Sequence, residues 1–159
     1  MTKKQYGDEA ERLAPSLRRI AYSIVRNEQD AQDAVQQALL SVWARRENVD
    51  LARLKPYLAR AVINACRDIQ RARQKAIPVE TVPESGYEPP DSALYDAVER
   101  LPEELRLPLL LHYMEGYKLA EIAGALGQSL PQLTSRLFRA RKLLRRMLEE
   151  VEALSLIHI

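Results

Sequence analysis

Cysteine occurs once in this 159-residue sequence, at Cys66. That scarcity excludes a disulfide framework and a cysteine-based zinc site. Two histidines, His112 and His158, are too few for a His-based metal cluster. Five glycines, spread singly, leave no Gly-rich loop to cradle a phosphate. No apolar run approaches the roughly 20 residues of a membrane helix. The N-terminus is polar (Thr2, Lys3, Lys4, Gln5), with no signal-peptide stretch behind it. These absences predict a cytoplasmic protein of a reducing compartment, with no metal, no cofactor and no membrane insertion. They also point away from an enzyme, because Tyr, Asp and Glu are the only plentiful acid–base groups.

Charge is plentiful but unevenly placed. The formal net charge is only +2, yet residues 1–75 hold 15 basic and 9 acidic side chains. Residues 76–93 hold no basic and 4 acidic ones, and residues 94–159 hold 9 of each. Between Arg60 and Lys75 stand five basic residues and one acid, Asp68. From Pro131 to Leu148 there are six basic residues and no acid. Two basic helices are thus separated by an acidic connector. Clustered basic charge on a helix is the footprint of a phosphate-backbone partner. A solvated helix face is the other reading of each run taken singly.

The connector reads as a linker. Residues 77–92, IPVETVPESGYEPPDS, contain four of the nine prolines and no apolar period. Proline fixes φ and removes a backbone donor, so helix is excluded there. Acidic charge keeps such a stretch solvated and extended. On either side the apolar residues recur at helical spacing and nothing alternates like a strand. Leu13, Leu17, Ile20 and Ile24 form one stripe, with a helix start or kink expected at Pro15. Asn27 is a candidate N-cap for a second helix, striped by Ala31, Ala34, Val35, Ala38, Leu39, Val42 and Trp43. Trp43 reads as a core residue. A third stripe runs through Leu51, Leu54, Leu58, Ala61, Val62, Ala65 and Ile69, and Cys66 on that helix reads as a small core residue. Beyond the linker, Ser92 is a candidate cap for a helix through Leu94, Ala97, Val98 and Leu101. Pro102, expected at the first helical position, and Glu103-Glu104 open the next, which carries Leu105, Leu109, Leu110 and Tyr113 with a kink expected at Pro108. The predicted fold is all-α: two small helical domains, residues 1–75 and 94–153, joined by an acidic Pro-rich linker at 76–93. The apolar tail at 154–159 either docks on the second domain or is foreign to the chain.

Residues 118–148 hold the most specific pattern. A short helix over 118–126 ends at Gly127, Gln128-Ser129-Leu130 makes the turn, and Ser129 caps a second helix with Gln132 at its third position. Leu133 and Leu137 pack back on the first helix. Gln132, Ser135, Arg136 and Arg139 are left outward. This is the pattern of a helix-turn-helix whose second helix enters the major groove. Arg reads guanine bidentately and Gln reads adenine. Arg141, Lys142, Arg145 and Arg146 either hold phosphates or face solvent. An αα-hairpin used only for packing is the plainer alternative.

Three stretches in this order resemble bacterial RNA polymerase sigma factors of the extracytoplasmic-function (ECF) group of the sigma-70 family. Asp30 to Trp43, DAQDAVQQALLSVW, resembles the family's D-A-E-D-x-x-Q-E…W helix. Pro56-Tyr57-Leu58…Asn64…Asp68…Arg71 resembles its W-L-x-x-I-A-x-N-x-x-x-D-x-x-R helix. Glu115-Gly-Tyr…Glu121-Ile-Ala…Leu126-Gly…Ser135-Arg-Leu…Arg139-Ala-Arg141 resembles its helix-turn-helix. The resemblance covers about residues 13–149.

It implies a monomeric transcription initiation factor with a region 2-like bundle and a region 4-like helix-turn-helix. Core RNA polymerase would be bound at the β′ clamp helices, by Asp30, Asp33, Gln36 and Gln37, and at the β flap. Promoter DNA would be read at the −10 element by Arg60, Asn64, Arg67 and Arg71. The −35 element would be read by Ser129, Gln132, Thr134, Ser135, Arg136, Phe138 and Arg139. An anti-sigma factor is a further implied partner. The chain departs from the pattern at Gln32 and Gln37, which replace acids, and at Tyr57, which replaces Trp. It also has Leu130-Pro131-Gln132-Leu133 in place of P-G-T-V, and Thr134 in place of a basic residue.

Overall fold

A computed structural model describes residues 1–75 and 93–157, with side chains through residue 152. Residues 76–92 of the linker expected at 76–93, the Ser92 cap, His158, Ile159 and the tail's side chains lie outside the described residues, and Ala93, expected in the linker, is helical. The chain divides into two compact units, Met1–Tyr87 and Glu88–Ile159. All described secondary structure is helical.

The first unit is a bundle of three mutually packed helices, α1 (Lys3–Val25), α2 (Glu28–Ala44) and α3 (Leu54–Lys75). Helix α1 starts well before Pro15. Thr2 accepts the Gln5 N–H at 3.1 Å, and the Gln5 side chain returns the bond to the Thr2 N–H at 2.8 Å. This capping box extends the apolar stripe backwards through Tyr6, Ala10 and Leu13, all buried. Pro15 then falls inside the helix on its exposed side, where its missing N–H and ring are least costly. Asn27 caps α2 by accepting the Asp30 N–H at 2.9 Å. Half of the buried residues of α2 are alanine (Ala31, Ala34, Ala38), which lets two neighbouring helices approach closely. Pro56 lies in the first turn of α3, and Leu54, Leu58, Val62 and Cys66 are fully buried beneath it.

Of the apolar residues expected in the core, Leu39, Ala61 and Ile69 are only half-buried, and Leu51 and Trp43 also lie outside it. Leu51 is exposed, in a 3₁₀ turn ahead of α3. Trp43 sits half-buried at the bundle rim, its ring 5.0 Å from that of Tyr6 and under the Arg46 guanidinium at 4.1 Å. A partner at the rim satisfies the indole's face without full burial.

The second unit contains α4 (Ala93–Arg100), α5 (Glu103–Leu109), α6 (Leu119–Leu126) and α7 (Leu130–Ile157). Pro102 is the residue before α5 rather than its first member, and Leu94 is exposed rather than part of the core stripe. After Pro108 the helix widens into a π turn, Leu110–Met114, in which Glu115 N–H reaches the Leu110 carbonyl at 2.9 Å. A proline without N–H and with a bulky ring disturbs the i→i−4 ladder, and an extra residue per turn absorbs the misfit. The added residue rotates Tyr113 out of the apolar stripe and into solvent. Gly116 (φ 76°) closes the segment. Helix α6 ends on Gly127 (φ 64°), a left-handed position that glycine adopts without Cβ strain. Ser129 and Gln132 form the expected capping box, with bonds of 3.3 and 3.1 Å. Leu133, Leu137 and Ala140 bury the inner face of α7.

Candidate functional site

Arg60, Asn64, Arg67 and Arg71 recur at four, three and four residues along α3 and therefore share one face. Arg60, Asn64 and Arg71 are exposed, and Arg67 is half-buried. Helix α3 directs its other side, Leu58, Val62 and Cys66, into the bundle. Arg67 donates to Gln70 Oε1 at 3.0 Å, and Gln70 donates to the Ile24 carbonyl at 3.3 Å, so α1 fixes this part of the stripe. Arg71 pairs with Asp68 on its own helix. Asn64 thus stands in a basic row, with exposed Tyr57 about two turns before it. An exposed amide beside guanidiniums has the chemistry to bond a base edge and anionic phosphates.

The four residues expected to meet a protein partner on α2 do not behave alike. Asp33, Gln36 and Gln37 are exposed on its outer face. Asp30 is buried at 9% exposure, and its Oδ2 lies 2.5 Å from Nη2 of Arg73. Its carboxylate is spent within the bundle, because α3 brings a guanidinium to the start of α2. Leu40, which the apolar period passes over, is 71% exposed beside Gln36 and Gln37. Its break with the stripe of Ala34, Ala38 and Val42 is the sequence signal for an outward leucine.

In the second unit, Ser129, Gln132, Thr134, Ser135, Phe138 and Arg139 are exposed and Arg136 is half-buried. On α7 these positions lie away from Leu133, Leu137 and Ala140, with Ser129 at the helix start. Lys142, Arg145 and Arg146 continue the exposed basic side. Arg141 is engaged elsewhere: it donates to the Tyr113 hydroxyl at 2.8 Å, with its guanidinium 5.9 Å from that ring. The sequence pattern did not signal this pair, because it follows from the π turn that exposes Tyr113. His112 Nδ1 lies 3.0 Å from the Tyr117 carbonyl and so helps close the loop before α6. No described helix is long and apolar enough to cross a membrane.

Comparison with known proteins places these two units. The Sigma-70 region 2 family matches residues 10–76, and the Sigma-70, region 4 family matches residues 91–144. The chain is 31% identical to RNA polymerase sigma factor SigV of Bacillus subtilis, over 80% of this chain and 81% of that one. It is 37% identical to the ECF RNA polymerase sigma factor SigM of Mycobacterium tuberculosis, over 83% and 71%. The sigma factor RpoE of Bartonella quintana, solved with the anti-sigma factor NepR, shares the fold at TM-score 0.73 and 23% identity, covering 92% of this chain and 98% of that one. CnrH, solved with the cytosolic domain of CnrY, shares it at TM-score 0.66 and 22% identity, over 94% and 90%. The two matched regions and relatives of this identity and coverage establish that the chain belongs to the ECF group of the sigma-70 family, RNA polymerase sigma factors that direct transcription initiation at promoters.

Proposed function

We propose that this sigma factor divides promoter recognition between its two units and performs no chemistry itself. The first unit meets the β′ clamp helices of core polymerase with Asp33, Gln36 and Gln37 on α2. Asp30 holds α2 against α3 rather than touching the partner. The α3 row reads the −10 element: Asn64 bonds a base extruded during strand opening, and Arg60, Arg67 and Arg71 hold phosphates. The second unit lies on the β flap and places α7 in the −35 major groove. Ser129, Gln132, Thr134, Ser135, Phe138 and Arg139 face the duplex there, and Arg136 reaches it from the edge of that face.

The observation that carries this reading is the alignment of Arg60, Asn64, Arg67 and Arg71 on one face of α3. An amide among guanidiniums, opposite a buried apolar face, suits a nucleic-acid strand better than a packing partner. Two weak modules on one chain gain joint affinity through effective concentration. The protein acts in the bacterial cytoplasm as a monomer until it joins polymerase. An anti-sigma factor that covers its polymerase-binding face would hold it inactive, a proposal supported by the anti-sigma factor bound to RpoE of Bartonella quintana.

Reconstituted transcription tests the whole reading. Purified protein, core RNA polymerase and genomic fragments from its source are mixed, and the RNA starts are sequenced. Discrete starts below two spaced upstream elements are expected. Polymerase binding without initiation would make the protein an adaptor. Absence of polymerase binding would leave the helix-turn-helix to act as an autonomous regulator.

A further inference from the structure

Three side chains on α7 do not suit a helix built only to hold phosphates. Leu130 and Phe138 are exposed by 50% and 61%. Thr134 lies between them, also exposed. Its hydroxyl donates to the Leu130 carbonyl at 2.8 Å. With that proton committed to the backbone, Thr134 no longer donates; its oxygen can still accept, and its methyl is the apolar group it adds to the row. Spacing of four and four residues puts the three side chains in one row, about 12 Å long at ~1.5 Å of rise per residue.

The surroundings of the row say what it faces. Ser135, Arg139, Lys142 and Arg145 are exposed around it. No acidic residue occurs between Pro131 and Leu148. A basic rim of this kind complements the phosphates that wall a DNA groove. The floor of the major groove is a pattern of donors and acceptors with one apolar feature, the 5-methyl group of thymine. An apolar row beside exposed Arg139, Lys142 and Arg145 matches a groove floor that carries such methyls.

We propose that the Leu130–Thr134–Phe138 row reads thymine 5-methyl groups in the major groove of the upstream promoter element. The proposal rests on the −35 reading and deepens it by naming the base chemistry selected. Burying the methyl favours thymine over cytosine and over uracil, both of which lack it. In the uracil comparison no hydrogen bond changes.

Duplexes are selected from a random pool by the full chain bound to core RNA polymerase. The enriched upstream element is then resynthesised with each thymine replaced in turn by deoxyuridine. One to three of these replacements are expected to weaken binding about fourfold each, the worth of one buried methyl. Thr134→Ser keeps the hydroxyl and its bond to Leu130 and should erase the sensitivity at one position. Phe138→Ala should erase it at another. Equal binding of every deoxyuridine duplex overturns the proposal but leaves the −35 reading standing, since the enriched element itself attests that reading. An enriched element without thymine overturns it in the same way. A pool that yields no upstream element overturns both.

Discussion

The Asp30 carboxylate at the start of α2 meets the Arg73 guanidinium near the end of α3, Oδ2 to Nη2, at 2.5 Å. Asp30 and Asp33, one turn apart, therefore have different work: one ties two helices together and the other faces outward. Asp30→Asn is expected to lower the stability of the first unit by about 1–2 kcal/mol, through the lost ion pair and the lost anion at a helix N-terminus. Asp33→Asn should change stability by less than about 0.5 kcal/mol and weaken core-polymerase binding. Thermal melts beside polymerase pull-downs of the two variants check the split.

Asn64 is exposed, so Asn64→Ala should melt with the parent protein. Polymerase binding is expected to persist while strand opening at the promoter falls at least tenfold, the scale of a lost amide–base pairing. Permanganate reactivity of unpaired thymines reads that step. Full opening by the variant would remove Asn64 from the −10 reading.

Salt titration separates phosphate contacts from base contacts on α7. Each phosphate contact contributes about 0.9 to the slope of log K against log salt. Lys142→Ala should lower the slope by about that amount and weaken all sequences alike. Arg141→Ala should lower it less, because Arg141 is held by Tyr113.

The turn before α7 is expected to respond to backbone chemistry alone. A Cβ at Gly127 would meet nothing within 4 Å, so Gly127→Ala carries only the penalty of its left-handed φ, about 1 kcal/mol. Ser129→Ala removes one arm of the capping box and should cost about 1 kcal/mol as well. Denaturant titration of both variants measures the two costs. A loss well above these values in either variant would mean that the turn holds further contacts.

Tyr6 gives the first unit an alkaline limit. Burial pushes its phenol above the ordinary value of 10.0, and its hydroxyl donates to the Leu39 carbonyl at 2.5 Å. The folded state therefore keeps the proton longer than the unfolded state does. The stability this supplies is complete below about pH 10 and is lost as pH rises through the folded value. Tyr6→Phe should be less stable than the parent protein at pH 8 and lose less of its stability between pH 9 and 11. Fluorescence of Trp43, whose ring is 5.0 Å away, reports the melts.

Local patterns in the sequence determined the helices and the turn that make this an all-α protein. Apolar spacing of three and four residues marks one buried face whatever lies opposite, so Leu17, Leu58 and Leu133 were legible as core. Capping at Asn27 and at Ser129 involves groups only three residues apart and was legible for the same reason. The basic row of α3 and the outward side of α7 follow from the same period. Contacts across helices were not legible. Asp30 turns inward only because α3 carries Arg73 to it, and Trp43 stops at the rim because Tyr6 and Arg46 flank it there. Pro108 foretold a disturbance, but only the π turn it produces decides that Tyr113 faces out and engages Arg141. Periodicity fixes which face of a helix is buried. Which polar groups on the other face are spent inside the protein, and which remain for a partner, depends on what distant parts of the chain bring beside them.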